Sequence, residues 1–214
     1  MTPYYEQDGI SIFHCDCMAY LEQFMDTRQV GRAFDLLLTD PPYGIGFAAQ
    51  PTKWQRRAGQ LAEQWDDSTS TERLALARTI CRRQIIFGGN YYDLPISRCW
   101  LSWYKPDAPP SMGNVEYAWT NLDQNSRMIS VSIGATNAER VGHPTQKPEA
   151  VIRWALQQAQ DVRTVLDPFM GSGTTLVAAK RLGKAATGIE REERYCEIAA
   201  ERLRQGALPM EFSA

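Results

Sequence analysis

The sequence has no long apolar run, no internal repeat and no large excess of either charge. No stretch approaches the roughly 18 consecutive apolar residues that a membrane-spanning helix needs. The polar start, MTPYYEQDG, lacks the apolar segment of a signal peptide. The five cysteines are scattered and odd in number, which argues against a disulfide framework. These absences predict a cytoplasmic protein with no membrane partner.

The charge is nearly balanced, with 23 basic and 25 acidic residues and a net charge of −2. Proteins that bind nucleic acid are often basic. The overall charge therefore does not indicate such a protein, and any contact with nucleic acid has to come from a local cluster.

Hydrophobic residues make up 43% of the 214 residues, which is enough for a core. Apolar runs alternate with helical patterns, which predicts an α/β fold in a single domain over residues 1–214, with a mostly parallel sheet and helices on both faces. Residues 44–66 contain several glycines and form a predicted long loop. We predict strands at residues 10–14, 34–39, 84–87, 98–104, 115–120, 127–133, 164–166 and 186–189. We predict helices at residues 18–25, 69–82, 148–160, 174–182 and 191–204, the second opened by a capping box at Thr69 and Glu72.

A glycine-containing turn, VLDPFMGSGTT at 165–175, joins a predicted strand to a predicted helix. Glycines let a ligand approach the backbone, and the start of a helix offers free N–H groups. Glu190 ends the next strand, 23 residues after Asp167, where an acid accepts hydrogen bonds from ribose hydroxyls. An ordinary turn between a strand and a helix would use similar glycines, so the loop alone does not decide the function.

The spacing fits neither the nicotinamide fingerprint, nor the Walker loop, nor the hydrolase elbow. The remaining candidate ligand is S-adenosylmethionine, with Asp167 attracting the ammonium group of its tail. A side chain at Gly173 would then occupy space that the ligand needs. The predicted donor-binding residues of this part are Asp167, Phe169, Gly171, Ser172, Gly173, Thr174, Thr175 and Glu190.

Asp40-Pro41-Pro42-Tyr43 directly follows the apolar run at 34–39. The prolines fix φ, so the Asp40 carboxylate and the Pro41 carbonyl are held in set directions beside the flat Tyr43 ring. Two acceptors beside an aromatic ring suit the exocyclic amine of a base that has left the duplex. They would stabilise the positive charge that develops on the nitrogen during attack. A plain proline turn is the alternative, and the glycine loop in the same chain disfavours it.

With both motifs present, the sequence resembles the DNA amino-methyltransferases of the β-type, circularly permuted arrangement, in which DPPY precedes the donor loop. The resemblance implies a Rossmann-like sheet of seven strands, mostly parallel with one antiparallel strand. His14-Cys15-Asp16-Cys17 is similar to the family's N-terminal motif. That similarity implies that Asp16 and Cys17 belong to the donor-binding site and that Asp16 binds the adenine ring of the donor. HPTQKP at 143–148 is similar to the family's last motif before the permutation point. That similarity implies that Thr145 and Lys147 meet the donor's carboxylate.

Two segments bear on DNA recognition. Basic residues interleaved with a tryptophan can grip phosphates and stack a base. The predicted DNA-binding residues, all in the loop at 44–66, are Lys53, Trp54, Arg56 and Arg57. Only about residues 121–142 stand where many relatives carry a larger recognition region, which predicts a short or relaxed target sequence. A homodimer would add the contacts of a second subunit.

These patterns predict a methyltransferase that moves a methyl group from S-adenosylmethionine directly to the N6 amine of adenine in DNA. The predicted catalytic residues are Asp40, Pro41, Pro42 and Tyr43. No metal is required, and Cys15-x-Cys17 lacks the spacing of a metal site. The aspartate that opens the proline motif resembles the adenine branch, but N4 of cytosine, RNA and protein glutamine stay open as substrates. A non-catalytic DNA-binding or donor-sensing module is the alternative from another class.

Overall fold

The computed structural model describes residues 1–25, 33–43, 70–134 and 146–205. Its strands are β1 (Tyr5–Gln7), β2 (Ile10–His14), β3 (Phe34–Thr39), β4 (Cys81–Phe87), β5 (Trp100–Tyr104), β6 (Val115–Thr120), β7 (Arg127–Ser130), β8 (Thr164–Asp167) and β9 (Ala185–Glu190). Its helices are α1 (Cys17–Leu21), α2 (Thr71–Thr79), α3 (Glu149–Gln158), α4 (Thr174–Arg181) and α5 (Glu193–Gln205), with 3-10 turns at Glu22–Phe24 and Gly89–Tyr91. None of these helices has the length and apolar character that a membrane span requires.

The described strands form one nine-stranded sheet in the order β1-β2-β9-β8-β3-β4-β6-β5-β7. Strands β2, β9, β8, β3 and β4 are parallel to one another, whereas β6 and the edge strand β1 run in the opposite direction. The predicted α/β fold with a mostly parallel sheet is confirmed. The implied count of seven strands with one antiparallel is wrong, because β1 and β7 extend the sheet at its two edges.

The missed strand β1 joins β2 through a two-residue hairpin at Asp8 and Gly9. Both residues have positive φ, 52° and 77°, and Gln7 pairs with Ile10. This geometry is that of a type I′ turn, for which Asp-Gly is a preferred sequence. The dipeptide was therefore a readable signal that the sequence analysis did not use.

Cores on both faces of the sheet hold its central strands. Leu36 and Leu38 of β3 belong to one apolar cluster, together with residues of α3, α4 and α5. Leu37, between them, belongs to a second cluster with residues of α1 and α2. Successive side chains of a strand point to opposite faces, so a continuous apolar run is what a sheet covered on both sides requires.

The predicted helix at 69–82 and the strand after it have shifted boundaries. Helix α2 ends at Thr79 and β4 begins at Cys81, which pairs with Phe34 of β3. Residues 81 and 82, which were predicted to end the helix, therefore belong to strand β4. The structure places the N-cap at Ser70, one residue after the predicted Thr69, and the Ser70 side chain makes no capping bond. Thr69 lies outside the described residues.

The topology gathers the chemistry-bearing residues at one edge of the sheet. Parallel strands end at the same edge, and ligands of open α/β sheets bind there. Asp16 follows β2, Asp40 follows β3, and Asp167 and Glu190 end β8 and β9. Because β6 is antiparallel, its beginning, with Glu116, also lies at this edge.

Candidate active site

The proline motif lies at the end of β3 and is bonded to its neighbours. The Tyr43 hydroxyl donates a short hydrogen bond to Asp40 Oδ1, and the Tyr92 hydroxyl donates one to the Pro42 carbonyl. Pro41 is buried beside them. Burial, reinforced by the Asp40 carboxylate, raises the pKa of Tyr43 well above its ordinary value. The phenol therefore stays protonated and acts as a donor to Asp40.

The turn after β4 supports the ring of Tyr43. Tyr91 stacks on that ring with 4.9 Å between centroids and 18° between planes. Gly88 lies directly beside it, with φ +64°, and a Cβ at this position would overlap the Tyr43 ring. A glycine is thus needed here both for its backbone conformation and for the space that the tyrosine occupies.

Lys147 contacts the proline motif. Its Nζ lies 2.6 Å from Asp40 Oδ2, 3.3 Å from the Tyr43 hydroxyl and 3.1 Å from Glu116 Oε2, and its side chain is only 9% exposed. Burial alone would lower the pKa of Lys147, but Asp40 and Glu116 outweigh it and hold the pKa well above the ordinary value. The implied contact with the donor's carboxylate stays a prediction.

Glu116 and Lys105 were missed by the sequence analysis. Lys105 Nζ donates to Glu116 Oε1 at 2.8 Å, and Lys105 is 5% exposed. Burial alone would raise the pKa of Glu116. The ammonium groups of Lys147 and Lys105 outweigh burial and lower this pKa from 4.5 to about 2. In the sequence, Glu116 occupies a position in an alternating strand where a solvent-facing charge is ordinary. Only the reversed direction of β6 brings it to the site.

The glycine loop is linked directly to the proline motif. Thr39, the last residue of β3, donates from Oγ1 to Asp167 Oδ1 at 2.8 Å, and Phe169 N donates to the same oxygen at 3.2 Å. The Thr175 side chain also bonds to Asp167. Asp167 is 3% exposed, and burial raises its pKa from 3.8 to about 6. The predicted catalytic and donor-binding parts therefore meet at adjacent strand ends.

Glu190 holds the other side of the glycine loop. Its carboxylate accepts from Gly171 N at 3.0 Å and from Glu192 N at 2.8 Å. Burial raises the pKa of Glu190 despite these bonds. Gly171 has φ +51°, a left-handed conformation that favours glycine. Glu190 therefore fixes the course of the loop, in addition to the ligand contact predicted for it.

The hydroxyls of the glycine loop are directed into the protein. Arg202 of α5 donates to the Ser172 carbonyl at 2.6 Å and to Thr174 Oγ1 at 3.1 Å, and the Ser172 hydroxyl bonds to Gln146 at 3.3 Å. Arg202, which the sequence analysis missed, thus supports the loop from behind. Ser172 and Thr174 shape the loop from within the protein.

Gly173 has a packing reason to be glycine, in addition to the reason predicted from the sequence. It has φ +76°, and a Cβ built on it would lie 2.7 Å from Cβ of Ala199 in α5. A larger residue would therefore collide with the final helix. The expectation that a side chain here also takes up donor space stays a prediction.

Asp16 lies beside Glu190, because Cys15 N donates to the Glu190 carbonyl at 3.1 Å. Its carboxylate caps α1 by accepting from Met18 N at 2.8 Å and forms an ion pair with Arg73 at 2.9 Å. The bond to Arg73 is the main cause that lowers the pKa of Asp16. Cys17 is buried, in the first turn of α1.

The predicted DNA contacts lie largely outside the described residues. These contacts are Lys53, Trp54, Arg56 and Arg57 in the loop at 44–66, and residues 135–142 of the recognition segment. Thr145, which was predicted to bind the donor, also lies outside the described residues. Of the predicted recognition segment, residues 127–130 form β7, which pairs with β5, and residues 121–126 connect β6 to β7, with Asn121 Oδ1 accepting from Gln84 N of β4. Within the described part of this segment, residues 131–134 follow β7 at the edge that carries Asp40.

Comparisons with known proteins agree with this arrangement. The family described as DNA methylase matches residues 93–201. M2.DpnII of Streptococcus pneumoniae, a Type II methyltransferase, is 52% identical over 94% of this chain and 92% of its own length. M2.LlaDCHI of Lactococcus lactis subsp. cremoris, also a Type II methyltransferase, is 27% identical over 96% of this chain and 93% of its own.

Solved structures share the fold. The M1.HpyAVI–SAM complex has a TM-score of 0.61 at 22% identity, covering 91% of this chain and 98% of that one. The cytosine-N4-specific PvuII DNA methyltransferase has a TM-score of 0.63 at 17% identity, covering 99% and 90%. The family match spans half of the chain and the relative at 52% identity spans nearly all of it, so this chain belongs to the DNA methylase family of N6 and N4 methyltransferases.

Proposed function

We propose that this DNA methylase transfers a methyl group from S-adenosylmethionine to the N6 amine of adenine in DNA, with its motifs in the β-type order. The bond between Thr39 and Asp167 carries the proposal, because it joins the strand end that bears Asp40 to the glycine loop. An acceptor for the target amine and a pocket for the donor are then side by side, which direct transfer requires.

The residues at the strand ends fit the donor. Asp16, Glu190 and Asp167 are carboxylates at the ends of three adjacent strands, and the buried Asp167 and the half-buried Glu190 adjoin a loop with left-handed glycines. Such a row offers acceptors for the adenine amine, the ribose hydroxyls and the tail's ammonium group. When bound, the donor supplies a methyl group on a positively charged sulfur, which keeps the bonding electrons as the methyl leaves.

The chain's own residues would orient the target amine and stabilise its charge. Asp40 and the Pro41 carbonyl accept hydrogen bonds from its two N–H groups, and Tyr43 stacks on the base. The nitrogen becomes positively charged as its bond to the methyl carbon forms and then loses one proton. In the structure, the oxygens of Asp40 accept from Tyr43 and Lys147. The incoming amine therefore has to share this carboxylate with both donors or displace one of them.

Gly88→Ala is expected to lower methyl transfer by roughly 100-fold, because the new methyl group displaces the Tyr43 ring. Gly183→Ala is the matched control. Gly183 has nearly the same φ, +63° against +64°, but nothing lies within 4 Å of a Cβ built on it. Both variants carry similar backbone strain, so comparing their turnover isolates the effect on Tyr43. Equal turnover in the two would contradict the role of this ring.

Adenine is proposed as the target base because the proline motif opens with aspartate. Mass spectrometry of nucleosides from DNA treated with the protein tests this choice. We expect N6-methyladenine as the main product. N4-methylcytosine as the main product would reverse the choice of base and leave the family unchanged. Methyl incorporation into RNA or protein instead of DNA would favour one of the other substrates, and no incorporation would favour a binding module.

Contact with DNA is proposed for Lys53, Trp54, Arg56 and Arg57, which follow the proline motif in sequence. A net charge of −2 gives little long-range attraction to DNA, so local contacts with phosphates have to supply affinity. Residues 121–142 stay the proposed recognition segment, and a segment of this length supports a short or relaxed target sequence. Assembly as a homodimer stays a prediction.

A further inference from the structure

Four side chains form a chain of alternating charges beside the site. Lys105 bonds to Glu116 at 2.8 Å, Glu116 to Lys147 at 3.1 Å, and Lys147 to Asp40 at 2.6 Å. Both lysines are less than 10% exposed. The family resemblance assigned a role to Asp40 and Lys147 only. Glu116 and Lys105 therefore have no role in the proposed function as it stands.

Stability alone gives no reason for this arrangement. Removing two ammonium groups from water has a large free-energy cost, and well-packed apolar residues in place of a buried ion pair often leave a protein equally stable. Lys105 directly follows β5 and Glu116 lies near the start of β6, and apolar side chains are common at buried positions of this kind. Of these four side chains, Asp40 is the one that faces the reaction. This position suggests that the charged side chains serve a function at Asp40.

Lys147 presents a problem for the proposed reaction. Its ammonium group contacts Oδ2, one of the two Asp40 oxygens available to the target amine, and brings a positive charge close to the nitrogen on which positive charge develops. With Asp40 as its only counter-ion, Lys147 would hold that carboxylate tightly. Glu116 offers Lys147 a second carboxylate within hydrogen-bonding distance.

We propose that Glu116 is a positioning residue for methyl transfer: it holds and neutralises Lys147, so that Asp40 is released to the target amine with its negative charge intact. Lys105 holds Glu116 in place from the other side. This inference rests on the proposed function, since it assumes that Asp40 receives the amine. In the reaction, the carbon–sulfur bond breaks as the carbon–nitrogen bond forms, and the proton leaves the nitrogen afterwards. Glu116 touches none of the reacting atoms.

The test compares kcat and KM of Glu116→Gln, Glu116→Asp and Lys147→Met with those of the parent, using unmethylated DNA. We expect Glu116→Gln to lower kcat roughly 10- to 100-fold and to leave KM for S-adenosylmethionine within about threefold. Glu116→Asp keeps the charge and should recover most of the loss. The matched control is Glu149→Gln, because Glu149 also pairs with two cations, Arg181 and Arg153, away from Asp40. Its kcat should match that of the parent.

A double variant tests whether Glu116 acts through Lys147. In the Lys147→Met background, Glu116→Gln should change kcat by less than about threefold, because no ammonium group remains to be held. Full additivity, an unchanged kcat in Glu116→Gln, or undetectable transfer by Lys147→Met would each overturn the proposal. Urea unfolding of the same proteins measures the pairing without any substrate. The two failures can be told apart. If the parent protein transfers no methyl group to DNA, the proposed function is refuted. If the shifts in unfolding midpoint of Glu116→Gln and Lys147→Met simply add in the double variant, the pairing of Glu116 with Lys147 is refuted.

Discussion

Asp40→Ala should reduce methyl transfer to DNA by at least roughly 100- to 1,000-fold and leave the affinity for S-adenosylmethionine within a few-fold of the parent. The size follows from the loss of an acceptor placed where charge develops, which is among the largest single contributions to catalysis. Donor binding should persist because the glycine loop is held by other groups, among them Thr39 and Glu190.

Turnover with tritiated donor and calorimetry of donor binding check the two halves of this expectation. Asp123→Ala is the control, because Asp123 is a 90% exposed carboxylate in an ion pair with Arg98, beyond the far end of β6. Turnover of Asp40→Ala within a few-fold of the parent would remove Asp40 from the chemistry. Loss of donor binding as well would mean that the two parts of the site are not independent.

Asp167→Asn should make the protein more stable at pH 8 while weakening its affinity for the donor roughly tenfold or more. Burial raises the pKa of Asp167 from 3.8 to about 6, so the ionised carboxylate is costly in the folded protein. Below pH about 4, Asp167 is protonated in both the folded and the unfolded protein, and this cost is absent. As pH rises from about 4 through about 6, the free energy of unfolding falls by the amount of this cost. At pH 8 the cost is on the order of 3 kcal/mol.

The amide is a suitable replacement because its oxygen can still accept from Thr39 and from Phe169 N, the two donors to Oδ1. Urea unfolding of parent and variant at pH 8 and pH 5 measures the free-energy difference, which should shrink at the lower pH. Asp123→Asn, at an exposed position, should show no such trend. A destabilised Asp167→Asn at pH 8 would contradict an ionised buried carboxylate.

The proposed function gives these two carboxylates different roles, and the structure holds them in different ways. Asp40 keeps its place through Tyr43 and Lys147, whereas Asp167 is held by hydroxyl and amide donors in a buried position. A buried acid that costs stability is typical of a binding site built for a cation. The gain in stability expected from Asp167→Asn, joined to a loss of donor binding, is the usual exchange between stability and function.

Local sequence determined the elements that carry the two motifs. The apolar run FDLLLT became β3 with the predicted bounds, Phe34–Thr39, and the prolines after it ended the strand. The glycine loop joined β8 to α4 as predicted, with Gly171 and Gly173 at positive φ. These features are readable because backbone sterics and strand periodicity act over a few residues.

Only the tertiary structure decided which side chains meet. Glu116 and Lys105 read as ordinary charges in sequence, and the reversal of β6 is what brings them to Lys147 and Asp40. In the same way, the packing of α5 gave Gly173 its reason, through Ala199. Periodicity reports which face of a strand is buried, but the partner across the sheet depends on strand order and direction, and these are set by packing of the whole chain.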